Sequence, residues 1–255
     1  MMNRKAQTIA LLQGIETQDV AAMRVINPEH YIQHNLNIAS GLEGIARVVQ
    51  HQPPQGFKAK VIRAFEDGDY TFAHTAYDFF GAKVGFDVFR WENGLIVEHW
   101  DNLADLAPPN ASGRTQLDGS ITLTDLEKTA ENKQIVERFI RENWLDQRNT
   151  YADYIANNVY LQHNPLGQDG LDTFLVTLKQ LQEHGVVMYF TKIHKILGEG
   201  NFVLAMSAGK FGSNGGVDTA FYDLFRLENG KIVEHWDVIE TITPAEQRKN
   251  NNGKF

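Results

Sequence analysis

Phe86-Asp-Val-Phe-Arg-Trp-Glu-Asn-Gly-Leu-Ile-Val-Glu-His-Trp-Asp101 is written a second time in the same chain, as Tyr222-Asp-Leu-Phe-Arg-Leu-Glu-Asn-Gly-Lys-Ile-Val-Glu-His-Trp-Asp237, with twelve of sixteen positions identical. Upstream, Tyr31-Ile-Gln-His-Asn35 returns as Tyr160-Leu-Gln-His-Asn164. The first pair is offset by 136 (86 to 222) and the second by 129 (31 to 160), so the second copy carries seven extra residues between its motifs. The chain is a tandem duplication of one domain, and its function is read per copy. The identical positions are mostly polar, whereas packing alone tolerates hydrophobic swaps.

Within each repeat an Asn-Gly pair separates two runs of alternating apolar and polar residues, the signature of a β-hairpin. Outward from it, the first copy predicts strands over 58–65, 70–79, 84–91 and 95–103. Helices are expected at 4–15, 20–25 and 41–50, the last stopped by Pro53 and Pro54. Residues 31–35 read as extended chain or loop. The second copy repeats this order. A long helix starts near Asp125, and helices follow near 151–156 and 171–183. Its strands are expected over 188–197, 202–211, 217–227 and 231–239. Helices followed by a four-strand antiparallel meander give an α+β domain with a curved sheet wrapped around helices. The first domain is expected at 1–107, a linker at 108–123 and the second domain at 124–255.

The hairpin register decides which side chains share a face. A two-residue Asn-Gly loop pairs Glu92 with Leu95. A three-residue loop pairs Trp91 with Leu95 and sets Asp87 opposite His99. The longer loop is preferred, because it gathers Asp87, His99 and Asp101 on one face with Phe89 and Trp91. Arg90, Glu98, Val88, Phe86, Ile96 and Trp100 then share the other. The second copy sorts alike, with Asp223, His235 and Asp237 together and Trp236, Tyr222 and Ile232 opposite.

A chain of 255 residues suits two domains, each able to bury a core. The net charge of −8 and the lack of a basic stripe argue against a nucleic-acid partner. There are no cysteines, which excludes disulfides, thiolate metal sites and cysteine nucleophiles. No apolar run approaches a membrane span, and the N-terminus lacks a signal-peptide core, so a cytoplasmic protein without a membrane partner is expected. Asn110-Ala-Ser112 then matches a glycosylation sequon by accident.

The Gln-His-Asn segment, the strand reading Asp-x-Phe-Arg and the closing Glu-Asn-Gly-x-Ile-Val-Glu-His-Trp-Asp resemble the SnoaL-like polyketide cyclase family of the nuclear-transport-factor-2-like superfamily. The resemblance covers nearly all of each half. It implies a cone-shaped α+β barrel enclosing an apolar pocket, and aldol-type chemistry run by an aspartate with no metal or cofactor. It further implies that Asp87 and Asp223 stand where isomerases of the superfamily keep a hydrogen-bonding acid. Asp101 and Asp237 stand where its epoxide hydrolases keep a catalytic aspartate. The copies depart from the pattern differently. His74, at the position of a common family histidine, is replaced by Met206 in the second copy. Leu36 stands where the second copy has the family's Pro165. One pocket is therefore open to degeneration.

Two carboxylates flanking an imidazole in an apolar cone cannot all be charged cheaply, which supplies a base and an acid near neutral pH. In this reading Asp101 (and Asp237) removes a proton alpha to a carbonyl. His99 (His235) orients it or shuttles the proton, and Asp87 (Asp223) or His34 donates to the developing enolate. Gln33, His34, Asn35 and His74, with Gln162, His163 and Asn164, are the expected substrate contacts. The ligand is expected to be a small hydrophobic carbonyl compound. A purely structural role for the same clusters stands beside this reading, as ion pairing and turn stabilisation. A metal held by His34, His99 and Asp87 fits no known ligand spacing, so none is expected. The apolar outer faces, with Trp100 and Trp236, predict that the halves pack sheet against sheet as an intrachain pseudo-dimer, with a higher oligomer left open.

Overall fold

The computed structural model describes residues 3–53, 56–156 and 159–255. Pro54 of the expected helix stop and the first two residues of the N-terminal reading lie outside them. The chain forms two compact units. One is Met1–Leu106 with Ile242–Phe255, and the other is Ala107–Thr241. This partition differs from the sequence expectation at both joints: the supposed linker belongs to the second unit, and the last fourteen residues belong to the first.

In the first unit, Asn3 caps α1 (Arg4–Thr17), its side chain accepting from Ala6 N. Asp19 caps the short α2 (Val20–Met23) in the same way. β1 (Ile32–Gln33) and α3 (Gly41–Gln50) follow, then a meander of β2 (Lys58–Asp67), β3 (Tyr70–Asp78), β4 (Ala82–Glu92) and β5 (Leu95–Asp105). The sheet order is β1-β5-β4-β3-β2. Patterning predicts the four meander strands but not the fifth: residues 32–33 run parallel to β5, pairing Gln33 with His99, so the sheet is mixed.

The second unit repeats the plan. A 3-10 turn at Leu126–Lys128 leads into α4 (Thr129–Ile140), which ends in a π-helical turn (Arg141–Leu145). Then come α5 (Tyr151–Tyr154), β6 (Leu161–Gln162), α6 (Leu171–Glu183), β7 (Val187–Glu199), β8 (Phe202–Gly212), β9 (Val217–Glu228) and β10 (Lys231–Thr241). The order is β6-β10-β9-β8-β7, with β6 parallel to β10. No helix among the described residues is long and apolar enough to cross a membrane.

The hairpin closes with the two-residue loop, not the preferred three-residue one. Asn93 and Gly94 both have positive φ (51° and 80°), and Glu92 pairs with Leu95. This is the turn whose twist matches the strands, and only Gly and Asn enter it readily. A bulge at Val97 then inserts one residue, so that Arg90 pairs with Glu98 and Asp87 with Asp101. The extra residue restores the expected face for everything beyond it. Asp87, Phe89, His99 and Asp101 look inward, while Arg90, Glu98 and Trp100 look outward. Before the bulge the expectation fails: Ile96 packs in the inner core with Leu11, Phe89 and Trp91. The second hairpin does the same, and Ile232 joins its inner core with Phe139 and Phe225.

Candidate functional site

The inner face of the first sheet, α1 and α3 enclose a cavity of about 740 Å3, mostly apolar, lined by Leu12, Ile15, Val48, Phe57 and others. Its polar floor is Gln33, Asn35, Tyr77, Asp87, His99 and Asp101. β1 delivers Gln33 and Asn35 two residues apart, hence on one side. β4 and β5 deliver the acids as directly opposed neighbours.

The floor has one wired half and one open half. Gln33 Oε1 accepts from the backbone N–H of Asn35 at 2.9 Å, which identifies that atom as the oxygen. His99 Nδ1, 3.2 Å away, must therefore donate to it. That leaves His99 Nε2 facing Asp87 Oδ1 at 3.3 Å, a contact that holds one proton between the two groups. Tyr77 donates its hydroxyl to Asp87 Oδ2 at 2.7 Å. Burial pushes the Asp87 carboxyl up, against the bond from His99 that lowers it. Burial and the Asp87 charge push the Tyr77 phenol well above its ordinary value, so it remains a donor. In the open half, Asn35 Nδ2 donates to Asp101 Oδ2 at 2.8 Å, and Asp101 Oδ1 has no hydrogen-bond partner. The buried Lys254 ammonium bonds Asp101 O at 2.7 Å and lies 4.0 Å from Oδ1.

The second unit carries the same trio around a cavity of only about 70 Å3. His235 donates to Gln162 Oε1 at 3.0 Å and meets Asp223 Oδ1 at 3.1 Å. Burial pushes His235 down to about 4 and Asp223 well up, both shifts disfavouring a charged pair. Burial also pushes Asp237 up to about 6, although the neighbouring His235 opposes the rise. Asn164 Nδ2 donates to both Asp237 oxygens, at 2.7 and 3.0 Å. Among the described residues no tyrosine donates to Asp223, whose Oδ2 has no hydrogen-bond partner.

The filling has a legible cause. Tyr77 lies over Gly85, where an added Cβ would come within 2.5 Å of its ring. The second unit inverts the pair: Gly209 stands at the tyrosine position and Phe221 at the glycine position. Ala59, beside Tyr77 in register, becomes Phe190, beside Gly209. Phe190 stacks on Phe221 at 4.3 Å and packs at a tilt against Trp144 at 4.8 Å. Aromatic rings thus occupy the second pocket.

Three expected contacts are misplaced by the sequence reading. His34, His163 and His74 do not line either cavity. His34 falls between Gln33 and Asn35 and so points to the outer face. There it stacks on Trp100 at 4.8 Å and meets Glu98 Oε1 at 2.8 Å, while Arg90 Nε donates to Glu98 Oε2 at 2.6 Å. His163, Trp236, Glu234 and Arg226 repeat this network. Burial pushes Glu234 up, but the bonds from His163 and Arg226 hold it below the usual carboxylate range. His74 pairs with Phe86 in register and meets Arg63 at 2.5 Å on the same outer side. With His34 across the sheet, the His34–His99–Asp87 metal trio cannot converge. Asp87, His99 and Asp101 do bring ligand atoms within 4.8 Å of one another, as do Asp223, His235 and Asp237. In the first unit the Lys254 ammonium opposes a cation there.

Tyr77 and Lys254 escape the sequence reading. Tyr77 is detectable, lying four residues from Ala73, the register partner of Asp87, and hence on its face. Lys254 gives no signal, because nothing local ties the chain end to Asp101. The end segment is held by Asn250, whose Nδ2 donates to Asn35 O and Ile38 O, and by Asn252, which donates to Gln33 O. Asn110 does the equivalent in the second unit, donating to Gln162 O and Asn164 O. The nitrogen that a sequon would glycosylate is thereby buried and engaged.

No family model matches the sequence, and neither does a curated protein. Among solved structures, the chain is similar to an NTF2-like protein of unknown function from Cytophaga hutchinsonii (13% identity, 41% of this chain and 92% of that one, TM-score 0.36). It is similar to an LEH-like epoxide hydrolase of M. tuberculosis (22% identity, 44% and 85%, TM-score 0.37). It is also similar to IdmH, provisionally a polyketide cyclase, from Streptomyces antibioticus (15% identity, 43% and 92%, TM-score 0.35).

Proposed function

We propose that the first unit is an acid/base enzyme acting on a small apolar carbonyl compound, and that the second unit is structural. One observation carries this reading. Asp101, a carboxylate with one oxygen that has no hydrogen-bond partner, lines a roomy apolar cavity beside a proton-holding Asp87–His99 pair. The resemblance of the sequence to SnoaL-like cyclases agrees with it.

In the proposed reaction the substrate carbonyl sits against the Asp87–His99 pair and its alpha carbon against Asp101. The Asp101 carboxylate takes the alpha proton, and the C–H electron pair becomes the enolate. The proton held between Asp87 and His99 hydrogen-bonds to the enolate oxygen. Tyr77 and Gln33 fix the orientation of Asp87 and His99 and are positioning residues. The enolate carbon then attacks a second carbonyl of the same molecule, in an aldol closure, or is reprotonated elsewhere, in an isomerisation. Asp101 returns its proton in either case. The test is a thermal-shift screen of carbonyl-bearing metabolites against wild type, Asp101→Asn and Asp237→Asn. The reading expects a ligand that wild type and Asp237→Asn convert and Asp101→Asn binds unchanged. A ligand bound by all three and converted by none would make the protein a binding module instead.

A further inference from the structure

The cavity has a charge polarity that its floor does not explain. Among the described residues, the only acids lining it, Asp87 and Asp101, are buried at the floor. Its solvent-exposed lining residues are Asn37, Arg47, His51, Phe80 and Lys249, which include two cations and an imidazole and no carboxylate. In a chain of net charge −8 such a rim runs against the general surface.

Each group is held in place. Arg47 lies in the last turn of α3, its guanidinium braced by Glu43 at 2.6 Å. His51 Nδ1 bonds Arg47 O at 2.7 Å, covering one of the end carbonyls that would repel an anion. Lys249 arrives from the end segment, its backbone N–H bonded to Leu36 O at 2.8 Å beside the buried anchor Asn250. Among the described residues no acid pairs with the Lys249 ammonium.

The duplication supplies an internal control. Gly41 and Gly170 open α3 and α6 at the 129 offset, both with positive φ. At that offset Arg47 becomes Val176 and His51 becomes Gln180. Aligning the anchors Asn250 and Asn110 turns Lys249 into Pro109. All three basic groups are missing from the copy whose cavity is filled. A solubilising role would not track cavity volume; a ligand-binding role would.

We propose that the first-unit cavity takes an amphiphilic ligand whose apolar body lies inside and whose carboxylate is held at the rim by Arg47, Lys249 and His51. The inference rests on the reading of this cavity as a small-molecule site. It narrows the substrate class to carbonyl compounds bearing an acid group remote from the reacting carbon. Arg offers a fork for the carboxylate and Lys a point charge.

The test is calorimetric titration of the full chain with decanoate and with decan-2-one, which match in length and differ in charge. Wild type is expected to bind decanoate about tenfold more tightly, a preference that shrinks as salt rises. The Arg47→Gln/Lys249→Gln double variant is expected to lose the preference while keeping its affinity for decan-2-one. Asp237→Asn, in the filled second unit, is expected to retain it. Equal affinities in wild type, binding of neither probe, or a preference surviving in the double variant would overturn the proposal. Failure of the acid/base reading is seen separately, as absence of conversion in a wild type that still prefers decanoate.

Discussion

The two units share a hairpin, a bulge, a Gln-His-Asn strand and an Asp–His–Asp trio, yet one surrounds about 740 Å3 and the other about 70 Å3. Three substitutions account for much of the difference: Ala59 against Phe190, Gly85 against Phe221, and Tyr77 against Gly209. Electrostatics follows volume. Where the cavity is filled, no described tyrosine donates to Asp223, and burial pushes the carboxyls of Asp223 and Asp237 up. Where it is open, Asp87 and Asp101 line a cavity with room for a substrate. A duplicated motif thus persists in both copies, while the surroundings decide whether it can act.

Exchanging the ring between copies tests this contrast most harshly. Phe190→Ala is expected to cost about 3–5 kcal/mol, because it removes a buried ring from a packed aromatic cluster. Ala59→Phe is expected to cost far less stability, since the ring enters empty space, and to abolish ligand binding. Urea unfolding and calorimetry check both. Equal stability losses would mean that the first cavity is not open in solution.

Asp237 offers the next largest effect. Its folded value of about 6 lies above the ordinary 3.8, so the folded state holds a proton that the unfolded state releases. The stability this confers is full below pH ~4 and is lost as pH rises through 6. Asp237→Asn should therefore stabilise the chain at pH 7.5 by about 3 kcal/mol, because each tenfold rise in proton affinity is worth about 1.4 kcal/mol. The gain should fade as pH drops from 6 to 4. A urea series across pH measures it, and a gain independent of pH would refute the assignment.

Tyr77→Phe removes the donor to Asp87 and turns that acid into a likeness of Asp223. A loss of about 1–2 kcal/mol is expected, and the converse, Gly209→Tyr, should clash with the Phe221 ring. Smallest and most symmetric are Asn250→Ala and Asn110→Ala, each freeing two backbone carbonyls. Each is expected to cost about 1–2 kcal/mol. Unequal losses would show that the two segments are not equivalent anchors.

Much of this is legible in the sequence. The repeat, the α+β order and the strands follow from patterning, because alternation and Asn-Gly turns are local signals. Register does not, since the bulge at Val97 depends on how two strands settle against a core. The face assignment of Asp87, His99 and Asp101 comes out right through a loop of the wrong length, the parity being the same. The histidines His34 and His163 read as ligand contacts because polar identity between copies suggests function, and His74 because the family resemblance places a histidine there. The pairs His34–Glu98 and His163–Glu234 show that ion pairs outside the cavity constrain sequence as chemistry does. Lys249 and Lys254 are invisible, because contacts between a chain end and a distant strand leave no periodic trace.

If only the first unit removes alpha protons, the difference is visible in the alpha-hydrogen exchange of 9-oxodecanoate in D2O, followed by NMR. Wild type and Asp237→Asn are predicted to accelerate exchange equally, and Asp101→Asn to leave it at the buffer rate. Exchange that survives Asp101→Asn, that is lost in Asp237→Asn, or that wild type never accelerates would contradict a single working pocket built on Asp101.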